Sequence, residues 1–526
     1  MSLYTDIRNG LRNLSDIPSL VGVPLQKVYE FCFGPTTFLA SDYGTFAAAV
    51  TAIGSTPAVL KVNSTQVIST AVTVPSTLRV EVVDRGIFIK SGSGTLTFNG
   101  KFVAPIAQVF SGFAAGNVTG LVGPYPQWFG AAFDSTTNDY TAWACAIAST
   151  SAGPILFTPG TSLIETGLVI PASKWISGDG IRASILQYSG TGYAITFGST
   201  SSADISYGCG GKDYTVLLTA NGGNGIKGAG TGDLFLENVY VEGIPTTTTG
   251  KGVVLDGAVS SNLFSTLRNI HVNHVKFPFE LSSSGVGFVT SALFENCEGL
   301  SDSIAGSVGF NVIGSNCDGC RILGGNLESI ATSLRIEGLG LTVFGLRFEG
   351  NTTDINLIST ARRNSIIGCY GLDTITDGAS DISNSFVSNT PSSGSNQTRN
   401  LLQQLSIGGG LTDTTPGVYI LENTGSAMLN LERTAATAGK YSFTVTSGGA
   451  LSIDNAGIGN IMTIAHSDSK ITFNSPLIST AVAFASLGTP VDGTLTYCSD
   501  CVIAALCIGG GTGAFAKRLA GAWVCN

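Results

Sequence analysis

LENVYVE (236–242), LRNIHVN (267–273), FENCEGL (294–300), ILGGNLE (322–328), VFGLRFE (343–349) and IIGCYGL (366–372) lie over one another without a gap. Their starts are 31, 27, 28, 21 and 23 residues apart. The third position reads Asn238, Asn269, Asn296, Gly324, Gly345 and Gly368. The fourth reads Val239, Ile270, Cys297, Gly325, Leu346 and Cys369, and the sixth Val241, Val272, Gly299, Leu327, Phe348 and Gly371. One strand signature recurring at irregular intervals of roughly 20 to 30 residues marks a solenoid.

After the third position each segment alternates small apolar and polar residues, the period of a strand with one buried face. Asn and Gly suit a sharp bend because both tolerate a left-handed backbone. Stacked coils would sit about 4.8 Å apart. Positions four and six then form inward ladders, and positions five and seven form outward ones. The expected fold is therefore all-β, a parallel β-helix. The competing reading is a sandwich of six unrelated amphipathic strands. A sandwich gives no reason for the bend residue to recur in register.

Composition agrees with an elongated solenoid whose turns are polar but uncharged. The 526 residues include 69 Gly, and only 12% are charged, about half the usual share. A hydrophobic content of 43% excludes a disordered chain. The net charge of −9 argues against a nucleic-acid partner, which calls for basic patches. It is compatible with neutral or weakly charged glycans. No apolar run reaches the length of a membrane span. The opening MSLYTDIRNGLRNL has no apolar core of a signal peptide. Synthesis in a cytoplasm is expected, with the 11 cysteines made as thiols. Cys297 and Cys369 fall on the inward ladder, where Cys acts as a small hydrophobe.

Along the chain, residues 1–33 read as a leader with a helix over 2–14, ended by Pro18 and Pro24. Residues 34–123 read as strands and turns, the small first coils of the solenoid and its N-terminal cap. Residues 124–388 hold the main β-helix. The stretch from Asp139 to Ser149 reads as an amphipathic helix near its start, with Asn138 or Asp139 as the cap. Strand breaks follow at Pro159-Gly160 and Gly178-Asp179-Gly180. NTPSSGSNQTRN (389–400) is a linker by composition. Residues 401–490 read as short strands, a small β-sandwich or a trimeric stalk. Residues 491–526 form a Cys-containing tip.

Pro126-Gln127-Trp128-Phe129-Gly130-Ala131, the turn from Asp134 to Asp139, the helix with Ala142 to Ile147 and the Pro159-Gly160 break occur in that order. The chain here resembles phage tailspikes and related pectate-lyase-like β-helix proteins. Their version of the first element has Glu where this chain has Gln127, and an Asp-Gly where it has Asp134-Ser135. The resemblance covers roughly residues 35–385. It implies a right-handed β-helix, three chains wound together at the C-terminus and attachment to the phage tail or baseplate through the N-terminus. It also implies a place in the virion, action at the host cell surface and a bacterial surface polysaccharide as ligand.

Chemistry is expected on the outward ladders. Position five carries Tyr240, His271, Glu298, Asn326, Arg347 and Tyr370; position seven carries Glu242, Asn273, Leu300, Glu328, Glu349 and Leu372. Carboxylates and amides hydrogen-bond sugar hydroxyls, and rings cover their C–H faces. The six residues of position five are the expected glycan contacts. Glu328 and Glu349 occupy one position on adjacent coils and are the expected catalytic pair. Like charges held that close drive one pKa up, which gives a site both an acid and a base. Retaining glycosidases need carboxyls about 5–5.5 Å apart and inverting ones about 6.5–9.5 Å; Glu298 or Asp354 is the wider partner. The bland reading is that exposed Glu on a β-helix only solvates it. His274 reads as a turn residue, since an i, i+3 pair with His271 points to opposite faces.

Cys498, Cys501, Cys507 and Cys525 leave three readings open: a zinc site, disulfides or buried thiols. No motif calls for a cofactor. Three functions compete: a tailspike that binds and degrades a polysaccharide by carboxylate-pair hydrolysis, with a lyase mechanism second; a fibre or adhesin that only binds; and a secreted pectate-lyase-like enzyme. The lack of a signal peptide argues against the last.

Overall fold

The structure is a computed structural model. It describes residues 36–199, 204–245, 249–283, 285–379, 384–390 and 392, five strands between 427 and 473, and residues 481–525. The expected leader helix lies outside the described residues, as does most of the expected linker. The chain forms two compact units, Met1–Ser406 and Ile407–Asn526.

The first unit is a right-handed parallel β-helix, and its coils from residue 134 onward form three sheets. The longest sheet runs through Gly160–Ile164, Ser184–Tyr188, Gly210–Leu218, Phe235–Glu242 and Thr266–Asn273, and on to Ser385–Val387. A second runs from Leu168–Ile170 to Ile375–Asp377, and a short third from Ser206–Tyr207 to Cys317–Asp318. The six aligned segments stack in the expected register. Leu236 pairs with Leu267, then Phe294, Ile322, Val343 and Ile366 in succession.

The bend residues explain how each coil turns. Asn238, Asn269 and Asn296 have φ of 51°, 53° and 52°; Gly324, Gly345 and Gly368 have 66°, 67° and 61°. All six lie in the left-handed region that a non-glycine residue enters at a cost unless its side chain compensates. Here the asparagines compensate one another. Asn296 Nδ2 donates to Asn269 Oδ1 at 2.9 Å, Asn269 to Asn238 at 3.0 Å and Asn238 to Asp213 Oδ1 at 3.0 Å. Where that stack ends, glycine takes the bend. One coil before the first glycine the strand already divides at the bend, into Leu293–Glu295 and Glu298–Leu300, and it does so again in the next two coils.

The inward ladders fill the core. Val239, Val241, Ile270, Val272, Leu327, Leu346 and Phe348 are buried, together with Cys297 and Cys369. Gly325 sits on the same ladder because a Cβ there would stand 2.0 Å from the Cys297 carbonyl oxygen. Phe279, Phe294 and Phe310 form an aromatic cluster, the Phe279–Phe310 rings stacked with centroids 4.5 Å apart. The expectation of an outward Leu372 does not hold: Leu372 is 1% exposed. In its coil the second half of the split strand is reduced to one residue, Tyr370, bridged to Arg347 and Thr390, so the alternation stops before position seven.

Residues 36–121 are small three-faced coils with a separate core around Phe46, Phe88, Phe98 and Phe110. They are not strands and turns alone. Phe46–Ile53 is an α-helix, started by Thr45, whose Oγ1 accepts from Ala48 N. It packs Phe46, Ala49, Val50 and Ile53 onto the first coil. The second helix, Tyr140–Ser149, lies where the sequence places it. Asn138 Oδ1 accepts from Tyr140 N at its start. Asp139 turns the other way: its buried carboxylate accepts from Ala132 N, Phe133 N and Ser162 Oγ, tying the aromatic turn to the first main coil. Among the described residues no helix is long and apolar enough to cross a membrane.

The second unit contains a five-stranded antiparallel meander from Ala427–Arg433 to Ile471–Phe473. It also contains a sheet of Ala481–Val482, Leu495–Cys498, Ala514–Leu519 and Ala522–Cys525. There Cys498 is bonded to Cys501 and Cys507 to Cys525, the disulfide reading of the four cysteines.

Candidate functional site

The outward strip forms as one continuous row. Tyr240 pairs with His271, then Glu298, Asn326, Arg347 and Tyr370 on successive coils. Beside it run Glu242, Asn273, Leu300, Glu328 and Glu349, in register on the same strands. The coil spacing makes the row from Tyr240 to Tyr370 about 24 Å long. That is a linear surface of alternating ring, imidazole, carboxylate, amide and guanidinium, suited to a linear ligand.

The downstream half holds the Glu pair. Glu328 and Glu349 are direct partners across adjacent coils. Arg347 Nη2 lies 2.9 Å from Glu349 Oε2, and the Glu349 side chain is 43% exposed. Glu328 is held by an amide instead, Asn326 Nδ2 to Glu328 Oε2 at 3.4 Å. Asn326 Oδ1 is buried and makes no hydrogen bond among the described residues. Beyond Glu349 a cleft of about 360 Å³ opens, lined by Arg347, Glu349, Asn351, Asp354, Tyr370 and Asp373. Tyr370 presents a ring that is 53% exposed. Asp354 is committed elsewhere: its buried Oδ2 accepts from the backbone N–H groups of Asp373 and Thr374, both at 2.8 Å. It fixes the next turn.

The upstream half holds a second cleft, of about 510 Å³, that sequence reasoning missed as a unit. Its walls include Arg182, Thr215, Tyr240, Glu242, Asn273 and His274. The Tyr240 ring is 9% exposed, because the Arg182 guanidinium covers it 5.4 Å from the centroid. The Tyr240 hydroxyl donates to Glu242 and accepts from Asn273 Nδ2 at 2.9 Å. Burial, aided by the Glu242 carboxylate, pushes its pKa up to about 12, so the phenol is a proton donor at neutral pH. His274 has a φ of 57°, as a turn residue does. It also joins two carboxylates, Glu242 Oε1 at 3.3 Å from Nε2 and Asp302 at Nδ1. His271 pairs with Glu298, Nδ1 to Oε2 at 2.9 Å.

The row of position five could be read from spacing, because register alone fixes it. Arg182 could not: it reaches Tyr240 from a turn two coils away, in a segment with no copy of the repeat.

No protein-family model matches this chain. No curated protein matches it in sequence. Among solved structures it is similar to ORF18 of Geobacillus virus E2, at 15% identity over 77% of this chain and 86% of that one, with a TM-score of 0.49. It is similar to a tailspike of Acinetobacter phage vb_AbaP_AS12, at 8% identity over 70% of this chain and 84% of that one, TM-score 0.39. It is also similar to the enzymatically active domain of tailspike protein 2 of bacteriophage CBA120, at 13% identity over 77% and 80%, TM-score 0.34.

Proposed function

We propose that the chain is a phage tailspike that binds a bacterial surface polysaccharide along the strip from Tyr240 to Tyr370 and hydrolyses it at Glu328 and Glu349. The observation that carries the reading is the direct pairing of the two glutamates across adjacent coils, with Glu349 lining an open cleft. In-register side chains on adjacent coils stand at about the strand spacing. That backbone spacing is near the carboxyl separation of about 5–5.5 Å that a retaining glycosidase uses. Glu349, held by Arg347, acts as nucleophile on the anomeric carbon; Glu328 gives its proton to the departing glycosidic oxygen. Water then enters, Glu328 takes its proton, and the Glu349 ester bond breaks. The tailspike assignment, the homotrimer and tail attachment through the N-terminus rest on the resemblance around Trp128. The test is incubation with capsule or lipopolysaccharide of candidate hosts. Oligosaccharides heavier by one water per cut, with anomeric configuration retained, support hydrolysis at this pair. A polymer that is bound and left intact means a binding fibre.

The upstream cleft favours a second reading, a lyase. It brings together a guanidinium, a protonated phenol and an imidazole, Arg182, Tyr240 and His274. Arg182 would face the carboxylate of a uronic acid. Glu242, a carboxylate in the wall of the same cleft, would take the proton beside that carboxylate, and Tyr240 would protonate the departing oxygen as the new double bond forms. Products absorbing in the ultraviolet, with no mass gain of water, identify this reaction.

A further inference from the structure

The strongest feature outside the strip is the sulfur cluster of the second unit. Among residues 481–525 the buried apolar cluster is Leu487, Ala514, Ala516 and the four cysteines Cys498, Cys501, Cys507 and Cys525, with Val482 and Trp523 packed against it. A core this small calls for a covalent or metal staple. The structure shows the covalent one, Cys498–Cys501 and Cys507–Cys525. Two independent disulfides have no need to meet. These do: the sulfurs of Cys501, Cys507 and Cys525 all lie within 4.8 Å of one another, and Cys501 is also bonded to Cys498. Three of the sulfurs thus form one group, Cys498 joins it through its bond to Cys501, and all four residues are at most 8% exposed.

We propose that in the thiol state these four cysteines form a tetrahedral zinc site. Four thiolates about 2.3 Å from one Zn²⁺ place their sulfurs about 3.8 Å apart, within the reach of this cluster. Cys498-Ser499-Asp500-Cys501 supplies the tight pair on a turn between two strands, the usual zinc knuckle. The turn is held close: a Cβ at Gly511 would stand 2.2 Å from the Cys501 carbonyl oxygen. Cys507 and Cys525 close the set from across the fold, where Cys507 N donates to Trp523 O and Ala504 exchanges backbone bonds with Cys525. Asp500 is the nearest carboxylate, and one of its oxygens is occupied by Phe484 N at 2.6 Å. Binding forms four Zn–S bonds, releases four thiol protons and changes no oxidation state. Passing from the two disulfides to four thiols takes four electrons and four protons, supplied by two equivalents of a dithiol reductant, and zinc binding then releases those four protons. The tip therefore has two interchangeable staples, a metal one while the chain is reduced and a covalent one once it is oxidised.

The test uses the full chain, purified throughout under reductant with Zn²⁺ supplied, then desalted and assayed for metal. About one zinc per chain is expected, and none in protein first oxidised to the two disulfides. Co²⁺ in place of zinc is expected to give thiolate-to-metal charge transfer and the intense visible bands of a tetrahedral site, with release of four protons per metal. Cys498→Ser and Cys525→Ser are each expected to lower metal affinity by more than ten-fold, while Cys145→Ser in the β-helix changes nothing. The cobalt spectrum is read on the unaltered sequence, so a variant that fails to fold does not decide the matter. Reduced protein that holds no metal, a cobalt spectrum without charge transfer, or metal held equally by either tip variant overturns the proposal.

Discussion

Glu328 and Glu349 are partners in the same ladder, yet only Glu349 is held by a guanidinium. Arg347 sits two residues before Glu349 on the same outward face, 2.9 Å from its carboxylate. The matching place on the preceding coil is Asn326, and Glu328 receives an amide hydrogen bond in place of a charge. A repeat that places like residues in register has thus been varied at one neighbouring position. The two carboxylates meet different partners, as an acid and a nucleophile require.

If the pair performs the chemistry, Glu328→Gln and Glu349→Gln are each expected to cut kcat by about 10²- to 10⁴-fold, the usual worth of a positioned acid or base. Both side chains are outward and part-exposed, so thermal unfolding is expected to be unchanged. Product release from host polysaccharide, measured by reducing ends, checks this. Cleavage at the parental rate in both variants would place the chemistry elsewhere, with the upstream cleft next in line.

Asn326→Ala separates positioning from chemistry. It removes the amide from Glu328 and the buried, unpaired Oδ1 from the strip. Losing a hydrogen bond to a charged group costs about 1.5–3 kcal/mol. A fall in kcat of roughly ten- to a hundred-fold is expected, with KM little changed. Asn326→Asp is expected to be no better, because it sets a third carboxylate beside the pair.

Glycan affinity is expected to depend on Tyr370 and Arg347. Tyr370 is half exposed at the edge of the downstream cleft, the place for a ring that covers a sugar face. Aromatic and Arg side chains are the common hot spots of binding surfaces, with losses above about 1–2 kcal/mol on truncation. Tyr370→Ala is therefore expected to weaken oligosaccharide binding about ten-fold by calorimetry, using the Glu349→Gln background to stop turnover. Tyr370→Phe is expected to keep most of the affinity.

Much of this site was legible in the sequence because a β-helix converts spacing into space. Once LENVYVE and VFGLRFE share a register, Tyr240 and Arg347 must lie on one row. The positive φ at Asn238 and Gly345 follows from the same alignment. What stayed hidden depends on residues outside the repeat. Arg182 covers Tyr240 from a segment with no repeat signature. Asp302 meets His274 from the turn after Leu300, whose length changes from coil to coil. Phe46–Ile53 lies in a segment whose pattern reads as strands, and packing of Phe46, Ala49, Val50 and Ile53 against the first coil selects the helix.

The asparagine stack offers a test of the fold itself. Asn269 donates to Asn238 and accepts from Asn296 at a φ of 53°. Asn269→Gly keeps the backbone free and loses only the side-chain bonds, about 0.5–1.5 kcal/mol each. Asn269→Ala loses the same bonds and adds left-handed strain of about 1–2 kcal/mol. The expected order of stability is parent, then Gly, then Ala, by urea unfolding. An Ala variant as stable as the Gly variant would mean that the backbone at this bend relaxes.

The thiols of the β-helix test its core from the other side. Cys145, Cys209, Cys297, Cys317, Cys320 and Cys369 are all buried and free. Burial raises each pKa, to about 11 for Cys145, Cys320 and Cys369 and about 12 for Cys209, Cys297 and Cys317. A thiol reagent needs both thiolate and access. At neutral pH these six are expected to react with Ellman's reagent only as fast as the β-helix opens, and all at once in denaturant. The pKa shift also fixes the sign of the alkaline response. A thiol whose folded pKa lies above its unfolded value favours the folded state below about pH 8.5. That contribution falls as pH rises toward 11 and 12, because the unfolded chain then ionises and the folded one does not. Stability measured by urea midpoints is therefore expected to decline from about pH 9 upward, and Cys297→Ala and Cys317→Ala together are expected to flatten the decline. A midpoint that holds level across that range would mean the six thiols meet water in the folded chain.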